Sequence, residues 1–282
     1  MYYEPGHPPV SPRLLKSKVP IWNVLTTATA AQNGAGATMK THSQGDRLEL
    51  FDPKTRATGI FWDGKALSTA TESISRAAGL STLWFSLMRM GGINQSNPLV
   101  QADRQQAWRL ALDSVDHVGS PLNIPARINM CAASYLHNRD FDHGGVPFEV
   151  HWVARVCYAL GAGLMSICDS ISPGEAYLAL TSPSIRIFGV RDIDRMREIC
   201  TYLPSNNLRN TQDFSTEEIS DTITNFFRSK NFNIELKKKG ITADQLPRAR
   251  EVALQNFNAD RRGEFKKDID LLDQVLSLAF NG

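Results

Sequence analysis

The densest group of residues able to do chemistry lies in HNRDFDH, where His137, Asp140, Asp142 and His143 fall within seven positions. Imidazole nitrogens and carboxylate oxygens are ligands for divalent metals, and the following Gly144-Gly145 would leave room for a substrate. The cluster fits no helical metal signature such as HExxH and has no second ligand cluster elsewhere. Its plainer reading is a solvated turn between two helices. Asp116-His117 places a carboxylate beside an imidazole, but sequence neighbours on a helix point apart. A histidine at a helix C-terminus is favoured by the dipole without any catalytic role. The chain contains no P-loop, no GxSxG and no strand-borne GxGxxG. Gly161-Ala162-Gly163 falls inside an expected helix and reads as packing. These residues give no positive ground for an enzyme, and no cofactor or bound metal is expected.

The cations are distributed unevenly. Between Lys65 and Lys230 there is no lysine but there are thirteen arginines, so the body of the chain relies on guanidinium alone. Guanidinium forks onto phosphate or carboxylate, stacks on flat rings and tolerates partial burial better than ammonium. Arg104 and Arg109 flank Trp108, Arg127 opens the next helix, and Arg155 lies beside Trp152. Arg186, Arg191, Arg195 and Arg197 crowd around Phe188. Guanidiniums interleaved with aromatics suit single-stranded nucleic acid, the rings of Trp108 and Trp152 stacking on bases. The competing expectation is internal ion pairing, because residues 66–229 carry sixteen acids against those thirteen arginines. Arg155, on an apolar helix, needs a partner in either case.

With 282 residues, 42% of them hydrophobic, the chain can bury a sizeable core, and its net charge of +2 excludes a strongly basic polyanion binder. Cys131, Cys157, Cys168 and Cys200 show no CxxC spacing and are expected as buried, reduced thiols. The proline-broken N-terminus has no apolar h-region, and the longest apolar run, Val156 to Cys168, is too short to span a bilayer.

The elements that must position these residues are mainly helical. Residues 1–45 read as an extended arm, 46–205 as a helical core lobe with a β-hairpin at 47–62, and 206–282 as a C-terminal helical lobe. The hairpin rests on alternation of Leu48, Leu50, Thr58, Ile60 and Trp62 around Asp52-Pro53-Lys54. Helices are expected from Thr69–Glu72 to Met90, from Asn97-Pro98 to about Val118, and over about 126–136. A long, buried central helix is expected over about 148–171. Ile185–Val190 reads as a short strand, followed by a helix over 192–202. Polar LPSNNLRNTQ marks a lobe boundary. Ser215-x-x-Glu218 and Thr242-x-x-Gln245 cap two later helices, and Phe265, Ile269, Leu272, Leu276 and Ala279 form one face of the last.

Two stretches carry a resemblance to known families. VARVCYALGAGLMSICDSI, with the later NLRNTQDFSTEEISDTI, resembles phlebovirus-like nucleocapsids. PRAREVALQNF (Pro247–Phe257) resembles coat proteins of flexible filamentous plant viruses. This implies a self-assembling nucleocapsid or coat protein of the virion or host cytoplasm, not an enzyme. It would package single-stranded RNA without sequence specificity in a groove lined by Arg104, Arg109, Arg127, Arg155, Arg186, Arg191, Arg195 and Arg197. Ile21, Trp22 and Leu25 of the arm, with Leu276 and Phe280 of the last helix, would join subunits into a homo-oligomer. The alternatives are a helical metal-dependent enzyme using His137, Asp140, Asp142 and His143, or a secreted host-interaction effector with a polar N-terminal export signal.

Overall fold

A computed structural model describes residues 17–40, 47–143, 151–204 and 211–282, and these form ten α-helices and four short strands. The mainly helical expectation holds. In chain order the strands are β1 (Trp22–Val24), β2 (Gly36–Lys40), β3 (Arg47–Phe51) and β4 (Gly59–Phe61). The helices are α1 (Gly64–Ser68), α2 (Glu72–Met88), α3 (Pro98–Ser114), α4 (Ile124–Leu136), α5 (Trp152–Ile167), α6 (Pro173–Phe188), α7 (Ile193–Thr201), α8 (Thr216–Ser229), α9 (Leu246–Leu254) and α10 (Ile269–Asn281).

Local side-chain chemistry sets most helix starts. Ser215 accepts from the Glu218 amide while Glu218 accepts from the Ser215 amide, closing the expected capping box of α8. Asn97 accepts from the amides of Leu99 and Val100 to open α3. Thr71, two residues after the expected Thr69, caps α2. Thr242 and Gln245 form their box one turn ahead of α9. The expected boundary within LPSNNLRNTQ falls largely on residues 205–210, outside the described residues.

Three expectations are corrected. The central helix is shorter than expected: α5 runs only from Trp152 to Ile167, and Ser172-Pro173-Gly174-Glu175 beyond it is a capping box that starts a separate helix, α6. Ile185–Val190 is not a strand: it ends α6, where Ile185 and Phe188 are fully buried three residues apart. Residues 47–62 do not fold into a hairpin. β3 pairs antiparallel with β2, and β4 pairs parallel with β1 in the register Trp22↔Gly59 and Val24↔Phe61. Alternation specifies a strand but not its partner, and here both partners come from residues before 41.

Part of the expected arm is built into the body. The Gln32 side chain donates to the Cys131 carbonyl at 2.9 Å and accepts from the Trp62 indole at 2.8 Å, and Asn33 donates to the Tyr135 carbonyl at 3.0 Å. These bonds tie residues 29–35 to α4. Leu25 and Leu276, expected at subunit contacts, are core residues, and Phe280 packs against that core. Ile21 and Trp22 are exposed, with Trp22 stacked on Phe61 at 5.9 Å.

α5 is the buried centre. Val153, Val156, Cys157, Leu160 and Leu164 have no solvent exposure. Its glycines permit close crossings: a Cβ at Gly161 would lie 2.6 Å from the Tyr177 ring of α6, and one at Gly163 would lie 2.0 Å from the Ala249 carbonyl oxygen of α9. Among the described residues no helix is long and apolar enough to cross a membrane. Because a rigid backbone faces Gly163, Gly163→Ala is expected to destabilise the fold by about 1–3 kcal/mol or more through overpacking. At Gly34 the nearest atoms lie at an ordinary 3.6 Å, so Gly34→Ala should change stability little. Urea unfolding of both variants checks the contrast.

Candidate functional site

The HNRDFDH residues do not converge. His137 caps α4 with 1% exposure, its ring 5.4 Å from Phe85. Burial, reinforced by the charge of Arg89, holds its pKa well below the ordinary histidine value. Asp142 turns outward to an ion pair with Arg56. His143 Nε2 accepts from Arg139 at 3.0 Å, and Asp103 lies 3.3 Å from Arg139 and 3.5 Å from His143. The cation held between Asp103 and His143 is therefore a guanidinium. The Asp140 side chain lies outside the described residues, and among those described no three His, Cys, Asp or Glu groups could hold a metal. Asp116 is paired with Lys230 and does not engage the exposed His117. Cys131, Cys157 and Cys200 are buried free thiols whose pKa burial pushes up to about 12, so they are inert at neutral pH. Cys168 is free and half-buried.

Most of the arginines expected to line an RNA groove serve the fold. Arg127, 3% exposed, donates to the carbonyls of Ser120, Leu67, Ala70 and Gly119, gathering three loop and helix ends. Arg104 is buried and donates to the Arg89 carbonyl at 3.2 Å. Arg109 pairs along α3 with Asp113. Arg186 reaches Asp221 of α8, Arg197 donates to the Phe214 carbonyl, and Arg191 makes two 2.7 Å bonds to Asp268. That fork holds the Asp268 carboxyl below its usual pKa. Trp108 is buried against Phe226, its ring 5.7 Å away, so it offers no open stacking face.

Arg155, Arg195 and Trp152 do come together, at the N-terminal end of α5. There His151, Trp152, Arg155, Asp192, Arg195, Arg261, Arg262 and Glu264 line a cleft of about 270 Å³. Arg155 forms a fixed wall: it donates to the Ala259 carbonyl at 2.8 Å and to Glu264 at 2.7 Å, with Asp260 at 3.2 Å. The guanidiniums of Arg155 and Arg191 lie 4.5 and 4.3 Å from the Trp152 ring centroid, and Phe188 stacks parallel to that ring at 5.8 Å. Asp192 accepts from the Trp152 amide at 2.8 Å and so tops α5. Arg261 and Arg262 precede Gly263, whose φ of 65° permits the turn that brings this basic pair back over α5.

His151 is the N-cap of α5. Its Nδ1 accepts from the Ala154 amide at 3.1 Å and its Nε2 donates to the Met88 carbonyl at 2.9 Å. Both nitrogens are used only in the neutral tautomer. Burial is the main cause of a pKa pushed down to about 4, with Arg195 and Arg104 acting in the same direction. Sequence reasoning missed His151, Asp192, Arg261, Arg262 and Glu264 as site residues. The available signal was the Arg-Arg-Gly turn, which becomes legible only once Arg155 is known to face it.

The depressed His151 pKa has a stability consequence. The unfolded chain takes up a proton near pH 6.5 and the folded chain near 4. The contribution is therefore complete above pH 6.5 and is lost as pH falls toward 4, on the order of 3 kcal/mol in all. Asn at this position retains an acceptor for the Ala154 amide but does not titrate. Urea unfolding at pH 7, 5.5 and 4 is expected to show a smaller pH-dependent loss for His151→Asn than for the wild type.

No family model matches the chain, and no curated protein matches it in sequence. Solved structures do match in fold. NADH-dependent butanol dehydrogenase A of Thermotoga maritima superposes with a TM-score of 0.74 at 13% identity, covering 94% of this chain and 67% of its own. A 1,3-propanediol oxidoreductase gives 0.68 at 20% identity, covering 90% and 65%. The iron-containing alcohol dehydrogenase of Corynebacterium glutamicum gives 0.65 at 16% identity, covering 95% and 69%. The chain thus spans about two thirds of the length of these neighbours. They overturn the nucleocapsid resemblance, and with it the RNA partner, the arm-joined homo-oligomer and the virion location. The expectation of a non-enzyme falls too, since the structures that share this architecture are oxidoreductases. In fold, the chain is like the alcohol dehydrogenases.

Proposed function

We propose that this chain is an enzyme that takes a small anionic substrate in the cleft at the head of α5. The observation that carries this reading is the composition of that cleft: four guanidiniums against two carboxylates on a concave wall. The fold neighbours support the enzyme half of the proposal, and they favour the enzyme alternative raised by HNRDFDH over a coat protein.

The chemistry of the fold neighbours does not transfer with the fold. Iron would need a set of His and carboxylate ligands. The described candidates, His137, Asp142 and His143, are respectively buried against Phe85, paired with Arg56 and bonded to Arg139. A dinucleotide needs a strand, a glycine-rich turn and a helix N-terminus that cradles the pyrophosphate. The described strands are three to five residues long, and Gly161 and Gly163 lie inside α5 against Tyr177 and Ala249. Neither group fits the described residues, so no step is derived through either.

The cleft offers binding and proton transfer. Arg195, Arg261 and Arg262 orient the anion while Arg155 stays locked in place. Guanidiniums hold their protons at neutral pH and both His151 nitrogens are occupied, so Asp192 and Glu264 are the lining groups able to accept a proton. Asp192 is tied to the Trp152 amide and Glu264 to Arg155, so both carboxylates are held in place on the wall of the cleft.

A consumption screen by NMR over phosphorylated and carboxylated metabolites, with uncharged alcohols alongside, tests the reading. Anions are expected to be consumed. Arg195→Ala should raise KM about ten-fold or more, as expected for losing a charged hydrogen bond of about 1.5–3 kcal/mol. Glu264→Gln should lower kcat. Turnover confined to uncharged alcohols, or unchanged in both variants, would sink the proposal.

A further inference from the structure

We infer that the open edge and face of β1 form a docking surface for a short extended segment of another polypeptide, which adds to β1 as a further strand. This surface is separate from the cleft at the head of α5 and does not depend on it.

The backbone of β1 is open on one side. The Ile21 carbonyl accepts from the Thr58 amide and the Leu25 amide donates to the Phe61 carbonyl, so these residues face β4. Backbone groups alternate sides along a strand, which turns the N–H and C=O groups of Trp22 and Val24 to the other edge. Among the described residues no strand pairs there, because the sheet holds β1 and β4 alone. Parallel sheets are ordinarily covered on both faces, and an unpaired edge is a template for a further strand. Pro20 has no N–H to offer, so it limits that template to the residues after it.

The same strand presents an apolar face. Trp22, Val24 and Phe61 are 61%, 60% and 49% exposed. They share one side of the sheet, since Trp22 and Val24 are two positions apart and Val24 is in register with Phe61. The Trp22 ring lies over Gly59, where a Cβ would come within 2.4 Å of it, and stacks on Phe61. The opposite side is already used: Ile60 packs against the core and Asn23 donates to the Gln32 carbonyl.

Size and charge select the occupant. At about 150–250 Å² per aromatic side chain, the three residues together expose on the order of 300 Å². A standard interface takes about 800 Å² from each partner, so this ledge falls well short of what a second copy needs. It suits a short segment instead, whose main chain bonds to the edge while alternate side chains rest on Trp22 and Phe61. Lys18, which precedes β1, and Lys54 share the carboxylate of Asp52 at 3.3 and 3.1 Å. These three groups sum to +1, which favours a segment with Asp or Glu at that end.

The test is fluorescence anisotropy of a labelled synthetic heptapeptide titrated with the full chain. The peptide alternates valine with threonine and carries one terminal glutamate. It is expected to bind, and methylation of its backbone nitrogens should weaken binding about ten-fold or more. Lysine in place of the glutamate should weaken it several-fold. Trp22→Ser and Val24→Lys should each weaken it about ten-fold or more. Leu122→Ser, at an exposed leucine before α4, should leave it unchanged. Circular dichroism and unfolding midpoints separate lost binding from lost fold. Absence of binding by the unmethylated peptide overturns the inference. Binding indifferent to methylation is apolar adsorption, and binding indifferent to both β1 variants lies elsewhere; either result overturns it too. A dimer in sedimentation that Trp22→Ser dissolves would assign the ledge to a second copy, against the inference.

Discussion

The contact on which the rest of the structure depends is the crossing of α5 over α9, where the backbone of Gly163 meets the carbonyl of Ala249. No side chain fits between them. Because the two backbones touch, α5 is sunk deep enough for Val153, Val156, Cys157, Leu160 and Leu164 to be sealed from water. Each removes an apolar side chain from solvent, about 1.5–3 kcal/mol apiece for the larger ones. Gly161 repeats the device against Tyr177, so α6 closes on another side of the same helix. The crossing also sets where the chain goes after α9. The segment 259–264 returns past the head of α5, which brings Arg261, Arg262 and Glu264 to Arg155 and Trp152.

The arginine-only body acquires a physical explanation from this packing. Lysine presents a compact, strongly hydrated charge that is costly to bury, whereas guanidinium spreads its charge and reaches several acceptors at once. Arg127 shows the use most clearly, satisfying four backbone carbonyls from a nearly dry position. Arg191 joins the turn after α6 to Asp268 at the start of α10, and Arg186 joins α6 to α8. The same residue type therefore serves two ends. Where its donors are taken up by carbonyls and acids it is a staple, and where several line one concave wall they form the site at which we propose an anion binds.

A shared fold with dehydrogenases need not bring shared chemistry, because function resides in the side chains a fold presents. Here a guanidinium lies between Asp103 and His143, and the glycines that might suggest a phosphate cradle are spent on helix crossings. His151 makes the same point. A buried histidine with a strongly depressed pKa beside a cleft invites a catalytic role, yet both its nitrogens are committed to the backbone of α2 and α5. Its task is to start α5 in the neutral form.

The amino-acid sequence by itself determined whatever depends on neighbours within a turn or two. The helical class, the capping boxes at Ser215 and Thr242, the Asn97 cap and the burial of the α5 stripe follow from propensity, period and short-range hydrogen bonds. The close-packing role of Gly161 and Gly163 was also legible, since glycine in a helix is costly unless something comes near. Tertiary structure alone decided the rest. Alternation in 47–62 marked strands but left their partners to residues 22–40, and Ile185–Val190 had strand-like composition until burial on a helical period decided it. The His137–His143 cluster was compact in sequence, but its described members engage other groups: His137 lies against Phe85, Asp142 pairs with Arg56 and His143 bonds to Arg139. The cleft arises in the opposite way, from residues over a hundred positions apart such as Arg155 and Glu264. Such a site has no local pattern to read, because the chain closes it only after α5, α7 and α9 have packed.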